Sequence, residues 1–274
     1  MVNFAIVSKA IKVIFFSSAW LTILLGPNVS LAQSKAQSKT RIEVTKPTPF
    51  NASYEVYSGD SKIGEVIFSF KHVDNNNYTS EGSATTSGVL GLVPNVSASV
   101  KSSWKYINGH IQPVWYNYKA SLAVINKKMF SVYDWSKYVA TVNHNGTVRK
   151  VTLEDGDLDQ SLVPLAVMQD MKRKKLRDEY RYVDRRRIKK YKFKIIGKEQ
   201  VDTKLGRFDA VLVETIERKK KRHKVKRRTR FWSVPKLDYL PVRVTHKSGD
   251  DKEVVMSLTK LSGELGYRLK DKIK

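Results

Sequence analysis

The sequence predicts a mainly all-β fold: one large antiparallel sheet, barrel-like or curled into a spiral, of about 12–14 strands with one short helix near the middle. Three observations predict it. From residue 50 onward apolar and polar residues alternate, the period of half-buried strands. Turn-forming Asn, Asp and Gly pairs recur between the alternating stretches. Only residues 154–175 carry helix signals.

The elements follow in order. In FNASYEVYS, Phe50, Ala52, Tyr54 and Val56 share one face. Gly59-Asp60-Ser61 turns the chain into KIGEVIFSFKHV, and Asp74-Asn75-Asn76-Asn77 turns it again into a strand from Tyr78. Asn108-Gly109 joins VKSSWKYI to IQPVWYNYKASLAV, a strong hairpin signal. Asn126-Lys127 and Asn145-Gly146 mark two more reversals. The helix candidate EDGDLDQSLVPLAVMQDMKRKK opens with acids and closes with bases, matching the helix dipole, with Asp159 or Ser161 as N-cap and Pro164 in the first turn. Strands then resume as YRYV, IKKYKFKIIGKE, FDAVLVETIE, KVKRRTRFWSV, LPVRVTHK and EVVMSLTKL. So long a meander must hide its edges, which favours closure or strong curl.

The N-terminus places Lys9 and Lys12 before an apolar run from Val13 to Leu25, then Gly26-Pro27 and the small residues of Ser30-Leu31-Ala32. This is the layout of a cleaved secretory signal peptide over residues 1–32. The alternative, a membrane anchor, would need roughly 20 apolar residues. Residues 33–47 read as a flexible lead-in, 48–262 as a single exported β domain and 263–274 as a basic C-terminal tail. The chain has no cysteine, so disulfides, thiolate metal sites and Cys nucleophiles are excluded.

The formal net charge is +25, and its distribution is regional. Residues 171–230 hold 26 basic against 8 acidic side chains, whereas residues 33–170 hold 14 against 12. In KKYKFKI, Lys190, Lys192 and Lys194 alternate with Tyr191, Phe193 and Ile195, so the lysines line one strand face while the others turn to the core. The run containing Lys219, Lys220, Lys221, Arg222, Lys224, Lys226 and Arg228 reads as a hairpin tip between two strands. These residues are the candidate anion-binding set; the plainer account is a solvated, edge-protecting surface. Export removes nucleic acid as partner and leaves anionic lipid or an acidic envelope polymer, with another envelope protein as a further partner. In GVLGLVPNV, Val89, Leu90, Leu92 and Val93 have the character of a cavity mouth or of an ordinary core-facing loop.

Other motifs are weak. The run Glu154–Asp159 resembles the start of a calcium loop, but Gln160 and Ala166 stand where Gly and Glu belong. His72, His110, His144, His223 and His246 show no metal-ligand spacing, and Ser161 lacks a GxSxG context. No metal, cofactor or catalytic residue is expected from this pattern.

Several segments together resemble an exported bacterial family with no assigned function, the domain-of-unknown-function family numbered 3108, over about residues 48–262. They are Phe50/Tyr54/Val56 followed by a strand bearing Gly64, then Gly109-His110-Ile111-Gln112-Pro113. Asp157-Leu158-Asp159-Gln160-Ser161-Leu162, Gly197-Lys198-Glu199 and Thr203–Phe208 come next, and Trp232 with Leu240-Pro241-Val242-Arg243 closes the series. The chain departs from the family at Lys204, where proline is common, and in its very basic hairpin. The resemblance implies an exported, antiparallel barrel-like or spiral domain and brings no catalytic residues. The expected function is a non-enzymatic periplasmic envelope protein that binds lipid or an acidic polymer. A protein-binding scaffold is the alternative, and a hydrolase of envelope polymers a weaker one.

Overall fold

The computed structural model describes residues 46–86, 96–122, 125–216 and 227–270. Fourteen strands form one antiparallel sheet. They are β1 (Phe50–Ser58), β2 (Ser61–Asp74), β3 (Asn77–Thr85), β4 (Val96–Ile107), β5 (His110–Leu122), β6 (Ile125–Asp134) and β7 (Val139–His144), followed by β8 (Thr147–Thr152) and β9 (Tyr180–Asp184). The series ends with β10 (Arg187–Thr203), β11 (Gly206–Ile216), β12 (Arg227–Val234), β13 (Leu240–Ser248) and β14 (Val254–Gly263). Their order, β8-β7-β6-β5-β4-β3-β2-β1-β14-β13-β12-β11-β10-β9, joins the first and last strands in mid-sheet and leaves β8 and β9 as edges. The sheet curls into a nearly closed barrel whose seam runs between those edges. No helix among the described residues is long and apolar enough to cross a membrane.

Alternation produces the walls. In β4, Val96, Ala98, Val100, Ser102, Trp104 and Tyr106 are all buried and face inward, while the residues between them are partly or fully exposed. The Asn108-Gly109 and Asn145-Gly146 turns have positive φ at both residues, as a tight two-residue hairpin demands. The reversal expected at Asn126-Lys127 falls earlier, since both residues already pair within β6, with Ser121 and Ala120 of β5. Bulges in β14, β2, β10 and β13, where Thr259, Ile63, Ile196 and Val242 are the extra residues, help the sheet coil. The bulge between Ile195 and Gly197 corrects one expectation: Ile195 is 51% exposed and does not face the core. The extra residue, Ile196, interrupts the alternation of β10 after Phe193, and the next buried residue of the strand is Val201.

Consecutive antiparallel strands put their turns at alternate ends of the barrel. Gly59-Asp60, Asn145-Gly146, Arg185-Arg186 and residues 249–253 lie at one end, the upper rim. Asn75-Asn76, Asn108-Gly109 and the β12–β13 turn lie at the lower rim.

The chain between the two edge strands fills the lower interior. After β8, Leu153 donates its backbone N–H to Tyr138 O, and Leu158 then pairs parallel with Tyr182 of β9. A 3-10 turn at Gln160–Leu162 reverses the chain against β3, β4 and β9, and helix α1 (Val163–Lys172) returns to the lower rim. Of α1, Val163, Leu165 to Met171 are all buried, so the helix is enclosed on every side as an interior plug. The wall accommodates the plug with small residues: Ala52, Ser80, Ala98, Ser102, Ala120, Ser131 and Ala140 are all buried. Only Asp159 of the acidic run caps the helical segment. Asp157 instead pairs with Arg181 at 2.6 Å and accepts from Glu154 N, so the dipole does not explain the other acids.

Residues 264–270, expected within a basic tail, form helix α2 (Glu264–Lys270), with Leu265 fully buried. A network around Asp238 seals the lower rim. Thr48 Oγ1 donates to its carboxylate at 2.6 Å, Lys172 Nζ at 2.8 Å and Arg268 Nη1 at 3.1 Å. One buried carboxylate thus ties the segment just before β1, the plug, the β12–β13 turn and α2 together.

Candidate functional site

The outer wall of β10–β13 carries the anion-binding candidates that are described. Lys192 and Lys194 are exposed on β10, opposite the inward Phe193. Across the sheet, Lys194 faces Glu214 of β11, Glu214 faces Arg230 of β12, and Arg228 of β12 faces Lys247 of β13. Glu214 binds Arg230 at 2.8 Å and lies 4.0 Å from Arg228. Lys192, Lys194, Arg228, Arg230 and Lys247 therefore share one outer face with Glu214, whose carboxylate Arg230 and Arg228 approach. Trp232 lies beside them, with the Arg243 guanidinium 5.7 Å over its ring and its Nε1 donating to Glu199.

Lys190 is placed differently. It pairs with Glu179 at 2.5 Å, which draws the Glu179 carboxyl below its usual range and uses the lysine to brace the approach to β9. Lys219, Lys220, Lys221, Arg222, Lys224 and Lys226 lie outside the described residues, as do Val89, Leu90, Leu92 and Val93. The strand ends flanking both segments, Ile216 with Arg227 and Thr85 with Val96, emerge at the upper rim. Arg230 and Lys247 were missed as members of the face. The alternation in RRTRFW could have found Arg230, but Lys247 joins only through the β12–β13 register.

Inside, the plug is held by a buried carboxylate. Asp159 is fully buried; its Oδ1 accepts from Ser161 N at 2.8 Å, Ser161 Oγ at 2.7 Å and Leu162 N at 3.1 Å, and its Oδ2 from Ser102 Oγ at 2.5 Å. Burial pushes this carboxyl up to about 6, against the pull of the four donors. Ser80, Ser102, Tyr116 and Ser131 stand side by side across β3–β6, forming a polar belt at the level of the plug's tip. Ser131 Oγ, Tyr133 Oη and Gln160 Nε2 are buried there without a hydrogen-bond partner. Between α1 and the inner wall of β10–β13, a crevice lined by Pro164, Val167, Met168, Phe193, Val213 and Phe231 encloses about 20 Å³. That is room for roughly one water molecule, not an acyl chain. Among the described residues, no three His, Asp or Glu side chains converge as a metal site would require.

A family model described as "Protein of unknown function (DUF3108)" matches residues 53–259, three quarters of the chain. The chain belongs to this family. The family's description assigns no activity. A crystal structure of a β-barrel-like protein of the domain-of-unknown-function family DUF1849 from Brucella abortus shares 11% identity, with a TM-score of 0.53 over 79% of this chain and 98% of that one. At this identity the likeness concerns the fold alone. An exported protein with a YmcC-like fold from Bacteroides fragilis aligns over 78% of this chain and 96% of its own, at 11% identity and a TM-score of 0.34. No curated protein matches the DUF3108 chain.

Proposed function

We propose that this DUF3108 protein is a non-enzymatic, exported envelope protein that docks on anionic lipid through the outer face of β10–β13. The observation that carries the reading is the set of five outward cations that share one face with Glu214. Near an anionic surface each such side chain is worth about 1 kcal/mol, acting within a Debye length of about 8 Å at physiological salt. The leader-like N-terminus supports a periplasmic location, and the excess of 26 basic over 8 acidic residues between 171 and 230 supports attraction to an anionic surface. The enclosed plug favours contact with lipid head groups at the surface over storage of an acyl chain beside α1.

Co-sedimentation with phosphatidylglycerol vesicles tests this reading. Lys192→Ser/Lys194→Ser/Arg228→Ser should lower vesicle affinity at least tenfold, and raising the salt should erase the difference between variant and parent. Equal affinity of the two at low salt would refute docking through this face.

A further inference from the structure

A second group of cations faces the inside of the barrel, at the upper rim beside the seam. Lys127 of β6 is in step with inward Met129 and Ser131 and stands opposite buried Ala120. His144 of β7 stands opposite Met129. On the far side of the seam, Asp184 of β9 and Arg187 and Lys189 of β10 share the face of Tyr182 and Tyr191, whose rings stack 4.9 Å apart. The turn between those strands adds Arg185 and Arg186.

Their mutual influence shows that the two sides of the seam converge. Burial holds the His144 imidazole below its ordinary pKa; Arg185 adds to this, as do Lys127 and Arg186, while Asp184 opposes. Burial likewise raises the Tyr118 phenol on β5, and Arg185 counteracts it from across the seam. Lys189 pairs with Asp184 at 2.5 Å, with 13% of its side chain exposed. Even so its amine lies below the usual lysine range, first through burial and then through Arg185 and Arg187. Asp184, also 3.8 Å from Arg185 Nε, is the one carboxylate among these groups, set against Lys127, Arg185, Arg187 and Lys189. Gathering like charges at a half-buried mouth is costly unless an anion joins them.

We propose that this mouth is a phosphate-binding site, in which Arg185, Arg187, Lys189 and Lys127 grip the phosphate and His144 and Tyr118 form its wall. The guanidinium forks of Arg185 and Arg187 suit bidentate contact with phosphate oxygens, and Lys189 supplies a point charge from below. The phosphate can belong to a lipid head group entering at the rim or to a soluble phosphate ester. The site is separate from the outer face of β10–β13, because Arg187 and Lys189 point inward on the strand whose Lys192 and Lys194 point outward.

Calorimetric titration of the protein with inorganic phosphate and with monomeric dihexanoyl phosphatidic acid tests the site. Saturable binding of both is expected, with tighter binding of the phosphatidic acid marking a lipid source and equal binding a soluble one. Arg185→Gln/Arg187→Gln should weaken both at least tenfold. Asp184→Asn, which removes the competing carboxylate, should tighten both several-fold and reads the site independently should the first variant fold poorly. Lys192→Ser/Lys194→Ser/Arg228→Ser should leave this binding unchanged, so failure of the outer face and failure of the mouth are distinguishable. Absence of saturable phosphate binding, or undiminished binding in a folded Arg185→Gln/Arg187→Gln variant, would overturn the proposal.

Discussion

Asp159→Asn probes the carboxylate on which the plug turns. In the folded protein this carboxyl titrates at about 6, against its ordinary 3.8. The folded state therefore holds close to one extra proton near pH 5, and the ionised form opposes folding. The contribution is fully favourable below about pH 4, is lost as pH rises through 6, and is flat above. With about 2 pKa units of displacement at 1.36 kcal/mol each, the loss is about 3 kcal/mol. Asparagine keeps a cap oxygen for Ser161 N and Leu162 N but cannot ionise. The stability difference, variant minus parent, should thus rise by about 3 kcal/mol between pH 4 and pH 8. Urea unfolding followed by the fluorescence of buried Trp104 measures it, and other titrating groups cancel between the two proteins. A pH-independent difference would refute the argument. A difference of opposite sign would mean that the four donors outweigh burial.

Three further substitutions test the architecture. A Cβ on Gly64 would stand 2.3 Å from the backbone oxygen of Thr85, so Gly64→Ala should cost about 3 kcal/mol or more by denaturant unfolding; a loss under 1 kcal/mol would show that the β2–β3 contact yields. Asp238→Ala removes the acceptor shared by Thr48, Lys172 and Arg268, and should cost about 2 kcal/mol and speed hydrogen exchange in α2; unchanged α2 exchange would refute the seal. Tyr133→Phe deletes a buried hydroxyl without a partner and should be neutral or stabilising by about 1 kcal/mol, whereas a loss in thermal unfolding would reveal a bound water.

The wall of the barrel was legible because alternation and Asn-Gly turns are local signals, and β9–β14 fall where their alternating segments stand. What failed was what needs three dimensions. Ile195 fits the alternation perfectly in sequence, yet it stands at the bulge before Gly197 and is half exposed. The α1 helix was legible, but its burial on all sides was not, since Gln169 and Asp170 are polar and only the barrel encloses them. The acids before it resemble a helix-dipole cluster, yet Asp157 answers Arg181, 24 residues away. The upper-rim cations draw on β6, β7 and the β9–β10 turn. No spacing links Lys127 to Arg185; only the curl of the sheet brings the seam's two sides together.

The mid-sheet junction of β1 and β14 has a consequence for how the chain is assembled. Each run, β1 to β8 and β9 to β14, can zip up from neighbouring hairpins, but Phe50 must wait for Gly263 before the halves join. Until then β1 is a bare edge, and FNASYEVYS carries neither lysine nor proline to discourage a stranger. The permanent edges are guarded: β8 bears Arg149 and Lys150, and five-residue β9 is shielded by the Leu158 segment. The chain is thus protected against self-association once folded and exposed to it only while emerging, when an unpaired β1 makes any copy stalled before β14 a template for aggregation.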